Sequence, residues 1–193
     1  MFKYRRGLRK RKGALAAEYV ATMYVLFLFI FFPVLNLGTC GLRAFFLRFA
    51  CNQAVMLAAK AKTFNTLIYV PAPAGTPYPG AYDTARARAA QVRAMFPGVN
   101  WTTNATNPEV DILLSPIAGS GAPNVAPIVG PTPLGLGNIP DVNQYVASIR
   151  VTINAQVDPL VPVPWFNIQG LTSPMFLVVS SCAEFENVPG LQF

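Results

Sequence analysis

Histidine is absent from the 193 residues, and only 12% of them are charged, about half the share of an ordinary soluble domain. Without imidazole, histidine-based acid/base catalysis is excluded. The three cysteines, Cys40, Cys51 and Cys182, form no CxxC or other metal-ligand spacing, so a zinc site is not expected. The acids of the chain body, Asp83, Glu109, Asp111, Asp141, Asp158, Glu184 and Glu186, are scattered. No pair stands at a helical spacing, and no nucleophile motif accompanies them. Unless two of these carboxylates meet in the fold, nothing supports catalysis, and the expectation is a non-enzyme with no cofactor.

Basic residues are plentiful only at one end. Lys3, Arg5, Arg6, Arg9, Lys10, Arg11 and Lys12 supply seven of the fifteen positive charges, giving the chain its net +7. The other eight, Arg43, Arg48, Lys60, Lys62, Arg86, Arg88, Arg93 and Arg150, are matched by eight acids, so the rest of the chain is neutral. A short terminal cluster beside an apolar span is a topogenic signal that stays on the cytoplasmic side of a membrane. It is not the spread basic surface that nucleic acid requires, and no nucleic-acid partner is expected.

What is abundant is apolar sequence, 53% of the chain. Residues 19–41 carry no charge, matching the ~20 residues that cross a ~30 Å hydrocarbon core, and predict a transmembrane helix in contact with lipid. Pro33 removes one backbone hydrogen bond and predicts a bend or loosened turn near residues 29–33. The run is too long for a cleavable secretory signal and lacks an AxA-like site. Residues 42–62 continue without Gly or Pro, with Ala50, Ala54, Ala58 and Ala61 in one stripe. One long helix that leaves the membrane as an amphipathic stalk accounts for both. Burial against its own C-terminal domain and contact with other subunits explain the stripe equally well.

Residues 71–80, PAPAGTPYPG, mark a linker. A second helix follows, with Asp83 as its cap, Ala85, Ala89, Val92 and Phe96 on one face, and Pro97-Gly98 as its stop. Arg86, Arg88 and Arg93 are expected on its solvated side. Residues 115–140 form a long Pro/Gly loop. Short strands are expected at 110–114 and 176–186, and the clearest at 145–157, where Tyr145, Ala147, Ile149, Val151, Ile153, Ala155 and Val157 alternate with mostly polar neighbours. The expected fold class is α+β: a long N-terminal transmembrane and stalk helix, a small, mainly antiparallel sheet packed on it, and one extra helix. The organisation divides into a basic leader (1–13), the transmembrane helix and stalk (14–62), and an extracytoplasmic domain (63–193).

The junction RRGLRKRKG followed by ALAAEYVATMYVLFLFIFF resembles the prepilin cleavage motif of the Tad/Flp branch of type IV pili. In that motif Gly is followed by four residues and then Glu-Tyr; here the positions are Gly13, Ala14, Glu18 and Tyr19. The resemblance implies that a prepilin peptidase cuts after Gly13, making Ala14 the new N-terminus and Glu18 the fifth residue. Physically, Glu18 is a carboxylate at the edge of an apolar span, where it wants a partner. The family supplies one in the free N-terminal amine of a neighbouring subunit. Snorkelling of Glu18 beside Arg11 and Lys12 is the alternative.

AYDTARARAAQVRAMF, SIRVTINAQVDPLVPVPW and FLVVSSCAEFE extend the likeness, and the chain is most similar to TadE-like pseudopilins. The insert at 99–140 has no counterpart in that pattern. Membership implies a bacterial inner-membrane protein with its N-terminus cytoplasmic and its C-terminal domain outside. It also implies other pilin or pseudopilin subunits and an inner-membrane assembly platform as partners.

Cys40 and Cys51 are eleven residues apart, about 16 Å along one helix, and cannot pair there. In an oxidising compartment Cys51 with Cys182 is the candidate disulfide; two free buried thiols are the alternative. LGTC at 37–40 is a weak match to a lipoprotein box, leaving an exported lipoprotein modified at Cys40, or a simple signal-anchored envelope protein, as alternative readings. Arg5-Arg6 lacks the rest of a twin-arginine signal. Asn100-Trp-Thr and Asn104-Ala-Thr fit the glycosylation sequon, a chance match in a bacterial protein.

Overall fold

The computed structural model describes residues 16–65, 79–101, 107–162 and 168–193. Among the described residues, two helices and five strands form an α+β arrangement. The long helix, α1 (Ala16–Ala59), is the one helix among the described residues long and apolar enough to cross a membrane. Its register is not uniform. Phe27–Phe31 form a π turn in which the Phe32 N–H reaches the Phe27 carbonyl. The cause lies next to it: Pro33 has no N–H to donate, and its ring crowds the preceding turn, so the helix widens just ahead of it. The loosened turn expected from Pro33 is therefore present.

The chain divides into two compact units, one holding α1 up to Gly41 with the Asp158–Met175 segment, the other Leu42–Val157 with Phe176–Phe193. In the second unit, strands β1 (Val99–Asn100), β2 (Glu109–Pro116), β3 (Ile128–Val129), β4 (Tyr145–Val157) and β5 (Met175–Glu184) form a single sheet. β4 is its centre. It pairs antiparallel with β2, from Glu109 opposite Thr152 to Pro116 opposite Tyr145, and with β1 through Val99 and Val157. β3 lies antiparallel on β2, and β5 pairs with β4.

The period-2 pattern of β4 is realised as written. Ala147, Ile149, Val151, Ile153, Ala155 and Val157 are buried, as one covered sheet face requires. The helix lies on that face: Leu47, Cys51, Ala54, Val55 and Ala58 join Val110, Ile112, Ile149, Val151 and Ile153 in one core. The alanine stripe is thus explained within the chain, since small side chains let helix and sheet approach closely.

The second helix, α2 (Ala81–Met95), buries Ala81, Ala85, Ala89 and Val92, the face expected from its sequence. Its start differs from expectation. Asp83 is not the cap; it sits in the first turn, where a carboxylate favours the helix dipole, and the cap position is Gly80 with no side-chain bond. Two of the first free N–H groups are met from a distance instead. Ala81 donates to the Thr63 carbonyl at 2.8 Å and Tyr82 to the Phe64 carbonyl at 2.9 Å. So close a passage requires glycine: a Cβ on Gly80 would stand 2.4 Å from the carbonyl carbon of Asn65.

The arginines of α2 are also less solvated than expected. Arg86 donates to the Tyr82 hydroxyl at 2.7 Å, Arg88 to Gln91 at 2.6 Å, and Arg93 lies over the Trp101 ring at 5.2 Å. All three are half-buried, their stems covering apolar surface. The C-terminus closes the unit in a 3-10 turn, Val188–Gln192, bound to the helix exit by Phe64 N–H on the Gly190 carbonyl at 3.0 Å.

Candidate functional site

The residues proposed for processing, Gly13 and Ala14, lie outside the described residues. Glu18 and Tyr19 are described: both occupy the first turns of α1 with exposed side chains, and the Glu18 carbonyl accepts the Thr22 hydroxyl at 2.9 Å. Around them the helix is apolar and uncovered, with Tyr19, Val20, Tyr24, Phe29 and Ile30 all more than half exposed. In water such a surface is unfavourable by roughly 25 cal/mol for every Å². A lipid surround or neighbouring apolar helices would remove that cost. Glu18 stands among these residues with its side chain exposed.

Farther along the same unit the helix acquires one polar side chain with a defined task. Asn36 is fully buried. Its amide donates to the Val161 carbonyl while its Oδ1 accepts the Val161 N–H at 2.9 Å. One turn on, the buried Cys40 thiol donates to the Gly170 carbonyl at 3.6 Å. Cys40 therefore stands in the interior of a helix with its sulfur enclosed.

The candidate disulfide is not formed. Cys51 and Cys182 are free thiols, one buried and one exposed. Exposure alternates along β5, and Cys182 shares the outward parity of Phe176, Val178 and Glu184, whereas Cys51 belongs to the core beneath the sheet. The Cys51 thiol instead donates to the Val151 carbonyl at 3.0 Å. Burial pushes its pKa up to about 11, outweighing the Ser181 N–H and the Arg48 charge that pull it down, which keeps the thiol protonated near neutral pH.

Comparison with protein-family models, with curated proteins and with solved structures finds no significant match. The site must therefore be judged on its residues. Of the scattered acids, Asp111 is the one fully buried, and sequence reasoning assigned it no role. It faces Arg150 directly across the β2–β4 pairing, where its Oδ2 accepts Nε at 3.0 Å and also Nη2. This is a cross-strand ion pair within the sheet. The signal that could have found it is an acid and a base that both have the parity opposite to the core residues of the two most regular strands.

A cleft of about 480 Å³ opens among Arg93, Trp101, Asn107, Asn154 and Phe176. Asn107 there repeats the Asn36 device, donating to the Asn154 carbonyl at 2.8 Å and accepting its N–H at 3.0 Å. Among the described residues the cleft lining holds no carboxylate, thiol or hydroxyl with which to do acid/base or nucleophilic chemistry. Asn100 of the first sequon is exposed on β1; Asn104 lies outside the described residues.

Proposed function

We propose that the chain is a pilin-like structural subunit or accessory pseudopilin of a Tad/Flp-type pilus, matured by a prepilin peptidase that cuts after Gly13. The observation that carries the reading is the register of Gly13, Ala14, Glu18 and Tyr19 between a basic leader and an uncharged span. The leader holds the N-terminus in the cytoplasm, the span stores the subunit in the inner membrane, and the sheet-bearing unit lies outside. Cleavage creates an amine on Ala14. Glu18, exposed at the rim of an uncovered apolar helix, is placed to neutralise such an amine on a neighbouring subunit, with an assembly platform docking or extracting the processed chain. The role is assembly rather than catalysis.

Lipidation at Cys40 is disfavoured by its setting, since cleavage before that residue would sever α1 at a position where the thiol is enclosed and hydrogen-bonded. Two variants test the proposal. Replacing Gly13 with a bulky residue should leave an unprocessed chain in the membrane, and normal maturation of that variant would refute the site. Glu18→Ala should insert normally yet reduce piliation; unchanged piliation would make Glu18 a snorkelling charge only.

A further inference from the structure

The pairing of Asn36 with Val161 spans 125 positions of sequence and lies about 7 Å short of the end of the span, counted from Gly41 at 1.5 Å per residue. A polar side chain inside an apolar membrane helix is unfavourable unless it has a task. Asn36 satisfies both backbone groups of a residue that belongs to no helix or strand. Non-helical backbone is tolerated at membrane depth only when its N–H and C=O groups find partners within the protein.

Several backbone groups of residues 168–173 meet the same requirement. Gly170 N–H reaches the Ser173 carbonyl at 2.8 Å, while Leu171 and Thr172 N–H both reach the Ile168 carbonyl, at 3.1 and 3.0 Å. The Gly170 carbonyl takes the Cys40 thiol. Leu160 is 49% exposed, Val161 36% and Ile168 52%, and on the helix Val34 and Leu37 are 62% and 59% exposed; Gln169 and Ser173 are exposed polar residues of the same segment. The sequence carries no charge from residue 159 to residue 183.

We propose that the stretches 158–162 and 168–175 form a second membrane-contacting element, set into the headgroup-to-acyl boundary beside α1 and held there by Asn36. The occupant of its exposed face is lipid. Attachment to the helix fixes that choice, because Asn36 holds Val161 and Cys40 holds Gly170, so the exposed Leu160, Val161 and Ile168 belong to a segment tied to the apolar span. The backbone groups of Val161 and Gly170 are met within the protein, and Leu160, Val161 and Ile168 are turned out, as a shallow insertion at the headgroup-to-acyl boundary demands. The inference needs only that α1 spans the membrane and does not depend on the pilin-like reading.

The test uses the full chain in vesicles of phosphatidylethanolamine and phosphatidylglycerol with no other protein present. Cys182→Ser removes the exposed thiol, and single cysteines at Leu37, Leu160, Ile168 and Leu136 carry an environment-sensitive fluorophore. Quenching by brominated lipid is compared with quenching by iodide. The bromolipid-to-iodide ratio at 160 and 168 should fall within about a factor of two of that at 37, and about fivefold or more above that at 136. Asn36→Leu should bring the label at 160 into reach of iodide while the label at 37 stays in lipid. If 37 reports lipid but 160 and 168 match 136, the loop inference is overturned; if 37 itself reports water, it falls together with the membrane span.

Discussion

Replacing Arg150 with Ala strands a buried carboxylate on the face of the sheet opposite the helix core. Asp111 is 0% exposed, and its Oδ2 is held by two nitrogens of Arg150, whereas Oδ1 has no hydrogen-bond partner among the described residues. Breaking a buried pair by removing one member costs about 3–5 kcal/mol. Because the Arg150 side chain is itself 35% exposed, the lower end, about 3 kcal/mol, is expected, since part of the attraction is already screened by water. With a urea slope of about 2 kcal/mol per molar, the unfolding midpoint should fall by about 1.5 M.

The measurement is urea unfolding of the full chain in nanodiscs, followed by the fluorescence of the buried Trp101, with Trp165→Phe as background. The double variant Asp111→Leu/Arg150→Met should recover to within about 1 kcal/mol of the parent, because two apolar groups need no pairing. A single Arg150→Ala variant within about 0.5 kcal/mol of the parent would refute the reasoning, since it would mean that the carboxylate is not dependent on its partner.

Thiol reagents at neutral pH should modify Cys182 and spare Cys51, and Cys182→Ser should abolish labelling of the folded chain, as mass spectrometry would show. Because burial holds the Cys51 pKa at about 11 against 9.0 when unfolded, the unfolded thiol ionises first. Stability is then fully retained below about pH 9 and lost as pH rises toward 11; Cys51→Ala should remove that part of the alkaline loss in equilibrium unfolding. Gly80→Ala should lower the melting temperature measurably, because its Cβ would meet the Asn65 backbone at 2.4 Å and overpacking of this kind costs roughly 1–3 kcal/mol. An unchanged melting temperature would show that the α2 entry is not tightly fixed.

What the sequence revealed follows from periodicity. β4 and the buried face of α2 were readable because one side of each is covered, which forces apolar residues into a period of 2 or 3.6. The π turn was foreshadowed by Pro33 alone. The two-residue strands β1 and β3 left no pattern, since pairing with β4 and β2, and not their own composition, defines them. The α2 start was misread at Asp83 because the N–H groups are capped by backbone carbonyls of Thr63 and Phe64, invisible to a local rule. The disulfide expectation failed on strand parity: Glu184 faces outward, so Cys182, two residues earlier, must do the same. Asn36 and Val161 found each other only through the tertiary fold. Glu18 and Tyr19, expected as assembly residues, are exposed because no described segment covers them, which no local pattern states.

The most direct test of the central proposal is the identity of the N-terminal residue in protein purified from its native membrane, by Edman sequencing or intact mass. The account predicts Ala14. An intact Met1, or a lipid-modified Cys40 at the N-terminus, would contradict it.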